Sequence, residues 1–236
     1  MFERGGARAV LDEVTLIKGD WAKGVYLKEL LKGRQLDAAS ARKVVGIVAG
    51  DFSSAYEKGQ VLGVVAAGKY LDDKETLDAF AAAVATINSD YERGRALAML
   101  MKDRKLTAEQ LKIVLPAAAK ISSDYEKAQA LVGILKSSSV EIAAQPAFFE
   151  GVNGISSAYE RAKLLSAVIA ASPTEEVLKR VVDSAAGINS DYEKAQVLIA
   201  AAKIVKDDAV RKRLVEVART IHSDYERGSV LSVAVK

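Results

Sequence analysis

Ile121-Ser122-Ser123-Asp124-Tyr125-Glu126-Lys127-Ala128-Gln129-Ala130-Leu131 is one of seven variants of a single motif in this 236-residue chain. Its aromatic recurs as Trp21, Tyr56, Tyr91, Tyr125, Tyr159, Tyr192 and Tyr225, at spacings of 35, 35, 34, 34, 33 and 33 residues. A period in this range marks a helical-repeat array, because one such unit cannot bury its apolar side alone. Six residues after each aromatic comes Leu27, Leu62, Leu97, Leu131, Leu165, Leu198 or Leu231, without exception. Four residues before it stands Ile17, Phe52, Ile87, Ile121, Ile155, Ile188 or Ile221. Three residues after it stands Gly24, Gly59, Gly94, Ala128, Ala162, Ala195 or Gly228, which lets another helix approach closely.

Ser123 followed three places later by Glu126 predicts a helix start with a capping box, the hydroxyl accepting from a first-turn N–H and the carboxylate reaching back. The same pair recurs as Ser54/Glu57, Ser89/Glu92, Ser157/Glu160, Ser190/Glu193 and Ser223/Glu226. Asp90, Asp124, Asp191 and Asp224 add negative charge in the first turn, where the helix dipole favours it. Each motif therefore opens the second helix of a hairpin, and the expected fold is all-α. It is a right-handed α-solenoid of seven hairpins and fourteen helices with HEAT-like stacking, forming one domain over residues 1–236. The repeats run over about 6–33, 36–70, 72–104, 107–137, 139–171, 173–205 and 207–236.

Composition agrees with this reading. Half the residues are apolar and only three are Pro, which favours helices over strands. Cysteine is absent, which excludes disulfides and thiolate metal sites. A net charge of +3 does not call for a polyanionic partner. No apolar run reaches the ~18 residues needed to cross a bilayer, and the residues from Met1 to Leu11 lack the apolar core of a signal peptide. The expectation is a soluble segment, of cytoplasmic or extracytoplasmic location left open.

Particular positions carry sharper expectations. Ala9, Val10, Val14, Leu16 and Ile17 place the first helix between about Gly6 and Lys18. Repeat one lacks both Ser and Glu in Gly19-Asp20-Trp21-Ala22, as suits an end unit. Pro116 predicts a kink between residues 114 and 118, since it removes a backbone bond inside the helix. Pro146, Gly151 and Gly154 make the first helix of repeat five the least regular, with Phe148-Phe149 its densest aromatic spot. Thr107 and Gln110 form another capping box, and Pro173 sits near a helix start. The last apolar stretch, Val230-Leu231-Ser232-Val233-Ala234-Val235, has no polar cap, which leaves room for oligomerisation through the final helix.

The Ser-Asp-Tyr-Glu-Lys/Arg signature resembles repeat arrays at the C-terminal end of uncharacterised bacterial proteins, some of them BlaR1-like membrane metallopeptidases. An Arg-Gly-Gly-led segment precedes the first hairpin there, as Arg4-Gly5-Gly6-Ala7 does here, so the resemblance covers nearly the whole chain. It implies a C-terminal region of a larger bacterial protein. The peptidase HExxH zinc motif is absent from this sequence, and the resemblance carries no catalytic or metal-binding residue over.

Three columns are candidates for function. The aromatic column either packs between hairpins, each hydroxyl bonded to the neighbouring repeat, or forms a row of stacking platforms. The first reading is preferred because the fixed Leu and small residues speak for packing. The basic column Lys23, Lys58, Arg93, Lys127, Arg161, Lys194 and Arg227 either tracks an anionic partner or serves inter-repeat ion pairing beside its adjacent glutamates, and the second is preferred. The column Glu29, Val64, Met99, Gly133, Ala167, Ala200 and Val233 either opens as a shallow apolar groove or packs on the first helices. His222, the single histidine, reads as a connector residue. No residue set supports catalysis, a metal or a cofactor. The expected role is a non-enzymatic protein-binding or assembly scaffold that takes another protein or peptide, with nucleic-acid binding through the basic column as the alternative.

Overall fold

The computed structural model describes residues 2–33 and 36–235, with the side chains of residues 2–5 and of Ile142 left aside. Met1 and Lys236, the ends of the expected 1–236 domain, lie outside the described residues, as do Arg34 and Gln35 between repeats one and two. The chain forms two compact units, Met1–Ser122 and Ser123–Lys236.

The first unit comprises α1 (Phe2–Val14), α2 (Asp20–Gly33), α3 (Ala38–Asp51), α4 (Ala55–Ala67), α5 (Lys74–Ala85), α6 (Asp90–Met101) and α7 (Ala108–Ala119). A single 3₁₀ turn, Lys69–Asp72, joins α4 to α5. The second unit comprises α8 (Asp124–Lys136), α9 (Val140–Ala143), α10 (Pro146–Asn153), α11 (Ala158–Ala170), α12 (Glu175–Ala186), α13 (Asp191–Ala202), α14 (Asp208–Ala218) and α15 (Asp224–Ala234). There is no strand among the described residues. Among the described residues the fold is an all-α helical repeat of fourteen helices, with the first helix of repeat five divided into α9 and α10.

Both units have the same two-layer construction. In the first, α1, α3, α5 and α7 pack one on the next, and α2, α4 and α6 form the second layer. In the second, α10, α12 and α14 make one layer, and α8, α11, α13 and α15 the other. Leu62 and Leu97 in one unit and Leu131, Leu165 and Leu198 in the other are buried between the layers. Removing each from water contributes about 2–3 kcal/mol. Leu231 is half-buried.

The serine starts form as expected on their hydroxyl side. Ser54, Ser89, Ser123, Ser157, Ser190 and Ser223 each accept from the N–H of the glutamate three residues on. The reciprocal carboxylate half is formed at Thr107/Gln110. At Ser54, Ser157 and Ser223 the expected reach-back is replaced, because the serine N–H already donates to an aspartate of the preceding repeat.

Three local expectations meet corrections or refinements. The helix expected to reach Lys18 ends at Val14, which leaves Leu16 exposed, and Gly6 interrupts α1 with φ +65°, a conformation glycine adopts without steric cost. Pro116 does not break α7, which runs continuously from Ala108 to Ala119. Pro116 itself lies on the exposed side of the helix. Pro146 does end a helix: α9 stops at Ala143, and Pro146 begins α10 where its missing N–H costs nothing. Phe148 and Phe149 are buried there, edge to face at 5.6 Å and 81°.

Candidate partner-binding surface

The tyrosine of each motif is the second residue of its helix when counted from the serine cap, and the basic residue is the fourth. Two residues turn a helix by about 200°, so the two columns point to opposite sides. That geometry overturns the preferred reading of the aromatics. Trp21 and the six tyrosines are 54–79 % exposed, and none of their hydroxyls bonds to a described residue. The first unit thus carries Trp21, Tyr56 and Tyr91 along its stacked second helices, and the second unit carries Tyr125, Tyr159, Tyr192 and Tyr225. Lys163, one turn on, places its ammonium 5.7 Å from the Tyr159 ring.

The basic column is withdrawn from solvent instead, so it lines no open face. Lys23, Lys58, Arg93, Lys127, Arg161 and Lys194 are 6–9 % exposed, and Arg227 is half-buried. Each of the six crosses to the end of the next repeat's first helix. Lys23 donates to Asp51 O at 3.0 Å, Lys58 to Thr86 Oγ1 at 3.1 Å, and Arg93 to Lys120 O at 2.7 Å. Lys127 donates to Gly154 O at 3.2 Å, Arg161 to Gly187 O at 3.4 Å, and Lys194 to Thr220 Oγ1 at 3.3 Å. A cation at a helix C-terminus meets the negative end of the dipole and carbonyls with no helical partner. Helix ends of the next repeat, rather than its carboxylates, are what these cations reach, and Arg93 also pairs with Asp90 of its own repeat at 2.8 Å. Burial pulls the Arg161 guanidinium below the usual arginine value.

The neighbouring glutamates lie at the same seam. In the first unit Glu57 and Glu92 are buried, and a Cβ on Gly24 would come within 2.8 Å of Glu57 Oε2. Gly59 meets Glu92 Oε2 more closely still. The small column therefore admits the next repeat's carboxylate. Their charges are offset at the rim by Lys28, 3.7 Å from Glu57, and by Arg95, 3.4 Å from Glu92.

A third set of contacts uses the first-turn aspartates. Asp20 accepts from the N–H groups of Ser53 and Ser54 at 2.8 and 2.7 Å, and Asp90 from Ser122 at 3.0 Å. Asp124 accepts from Ser156 and Ser157 at 3.1 and 2.7 Å, and Asp191 from His222 and Ser223 at 3.1 and 2.9 Å. Burial raises the Asp20 pKa, but the N–H bonds from Ser54 and Ser53 outweigh it, and the carboxyl stays below its usual range. The Ser223 N–H likewise holds Asp191 low, with burial opposing and His222 assisting. Sequence reasoning assigned Asp90, Asp124 and Asp191 to the helix dipole alone, gave Asp20 no role, and missed the clasp. Its signal is a pairing: Asp20, Asp90, Asp124 and Asp191 precede Ser53, Ser122, Ser156 and His222, whereas Ala55 and Ala158 precede Asn88 and Asn189.

Of the third candidate column, Val64, Met99, Gly133, Ala167, Ala200 and Val233 are half-buried and Glu29 is exposed. These positions follow the aromatics by eight residues, a rotation of about 80°, and so border the same face. Among the described residues no group of three His, Asp or Glu side chains could hold a metal. An open cleft of about 480 Å³ lies beside Leu31, Leu36, Ala38, Tyr70 and Asp73, where Asp73 is engaged as the cap of α5. No helix among the described residues is long and apolar enough to cross a membrane. No protein-family model, curated protein or solved structure matches the chain.

Proposed function

We propose that the stacked second helices of each unit form a protein- or peptide-binding surface, with the aromatic row as its anchor. One observation carries the reading: a large aromatic recurs at one position in all seven repeats and stays 54–79 % exposed. The Leu, Ile, Gly/Ala and basic columns have packing or bonding duties, and this column has none within the described residues. Tyrosine and tryptophan supply broad contact area with few rotamers to immobilise, which is why protein interfaces are enriched in them. The half-open column beside the row adds small apolar ground suited to an extended or helical segment. The role is that of a non-enzymatic scaffold with HEAT-like stacking, carried in a larger bacterial protein as the Ser-Asp-Tyr-Glu resemblance implies. Nucleic-acid tracking is disfavoured because the basic side chains are committed to helix ends.

A phage-displayed random peptide library, panned on the chain and on a Y56S/Y91S/Y159S/Y192S variant, tests this. The intact chain is expected to enrich peptides rich in aromatic and aliphatic residues, and the variant to lose that enrichment while keeping its helical circular dichroism. Enrichment indifferent to the four substitutions, or none at all, would sink the reading.

A further inference from the structure

Ala55 and Ala158 stand where other repeats carry the clasp aspartate, and at Ala158 a buried arginine is left without a carboxylate. The seam after repeat three shows what that carboxylate does. Asp90 pairs with Arg93 Nη1 at 2.8 Å and accepts from the N–H of Ser122 in the next connector at 3.0 Å. Arg93 Nη1 donates as well to Lys120 O, at the end of the next first helix. The seam after repeat five has the same parts except one. Arg161 Nη1 donates to Gly187 O at 3.4 Å, and a Cβ on Gly187 would come within 2.9 Å of Nη2, so the guanidinium lies against the connector. Ala158 takes the position of Asp90, and Asn189 that of Ser122.

Arg161 is 9 % exposed, and among the described residues no carboxylate pairs with it. Its remaining side-chain partner is the neutral Asn153 Oδ1, and its buried Nε has none. The adjacent Glu160 lies 3.9 Å from Lys163 instead. The N–H groups of Asn189 and Ser190 donate to no described residue, whereas those of Ser156 and Ser157 go to Asp124 and those of His222 and Ser223 to Asp191. A buried cation met only by a helix end and a neutral amide, beside two unengaged donors, favours an anion. Asn189 is exposed, so the connector is open to a ligand.

We propose that the Arg161–Asn189–Ser190 seam binds a carboxylate, supplied by an acidic side chain of the peptide that lies on the aromatic row. One oxygen accepts from the guanidinium and the other from the connector amides, as the Asp90 carboxylate is shared between Arg93 and Ser122. Tyr159, next in the chain to Ala158 and 60 % exposed, stands beside this seam. The peptide as source rests on the reading of the aromatic row; the carboxylate chemistry does not.

Amide NMR of the isotope-labelled full chain, titrated with sodium acetate against sodium chloride at equal ionic strength, tests the site. The N–H signals of Asn189 and Ser190 are expected to move downfield and saturate, and those of Ser156 and Ser157, already held by Asp124, to stay in place. Ala158→Asp supplies the carboxylate from within and is expected to abolish the response while the fold is kept. No saturable shift, a shift that chloride reproduces, or one that survives Ala158→Asp would overturn the site. A second arm uses acetyl-Phe-Asp-amide, expected to bind about tenfold tighter than acetate, as one aromatic contact allows, and to lose that gain in Tyr159→Ser. Equal affinities would overturn the peptide as source and assign the seam to a free carboxylic acid. Loss of the acetate response with peptide enrichment intact would sink this proposal and leave the aromatic-row reading standing.

Discussion

The outer edge of the second-helix layer and the seam between repeats reverse the usual distribution of side chains. Tyr159 stands in solvent while Arg161, two residues on, is buried. Lysine and arginine are seldom enclosed unless something holds their charge, and here a helix end does. A long flexible stem crosses from one hairpin to the next, and a rigid ring on the opposite side cannot. Reach and direction, rather than hydrophobicity, decide which of the two is hidden.

The sharpest way to break this comparison is to truncate both members of one pair. Arg161→Ala leaves Gly187 O and Asn153 Oδ1 without their donor and removes a buried stem. A loss of about 2–3 kcal/mol is expected in urea unfolding. Tyr159→Ala on the same helix is expected to cost less than about 1 kcal/mol, as exposed positions do. Equal losses would mean that the ring, too, is structural.

A smaller effect separates the seams of the two units. Gly59 in the first makes room for Glu92, where Ala162 and Ala195 occupy the column in the second. Gly59→Ala gains about 1 kcal/mol of helix propensity but forces a methyl group into the carboxylate, so a net loss of about 1–2 kcal/mol is expected. Adding Glu92→Ala should recover most of it in a double-mutant cycle. Additive losses would show that the glycine serves some other contact.

The smallest effect lies in the acid limb. Asp191 has a folded pKa below its ordinary value, so its contribution is complete above about pH 4, the unfolded carboxylate range, and fades as pH falls through the lower folded value. Asp191→Asn should therefore lower stability at neutral pH and flatten the acid unfolding curve followed by circular dichroism. An unaltered curve would remove the clasp at Ser223 from the account.

Much of the fold was legible because it rests on repetition. The thirty-odd residue period, the Ser-to-Glu spacing and the Leu column each have one structural meaning at helical geometry, and Leu62 or Leu198 could be placed in the core from the chain alone. The candidate surface was less legible. The second helices are apolar on most of their circumference, so periodicity does not say which flank faces the neighbour, and Tyr56 was placed between hairpins although it is exposed. A clue was nonetheless present. The position four after the aromatic drifts through Val25, Gln60, Arg95, Gln129, Lys163, Gln196 and Ser229, as a solvated site does, whereas the position two after it is basic seven times. Pro116 is a separate matter: α7 is continuous across it, and how far a proline disturbs a helix is set by its tertiary position.

The clasps of the repeated motif run one way: the first-turn aspartate and the buried cation belong to the earlier repeat, the connector amides and the helix end to the later. The molecule therefore has a grammar in which whole words can be dropped or doubled but letters cannot. Excising the 34 residues from Tyr91 to Asp124 leaves Asp90 ahead of a connector that again opens with serine, Ser156. A cut that is not a whole period misaligns three joints together. Length is thus open to change by whole periods wherever the joined repeats carry matching clasp residues.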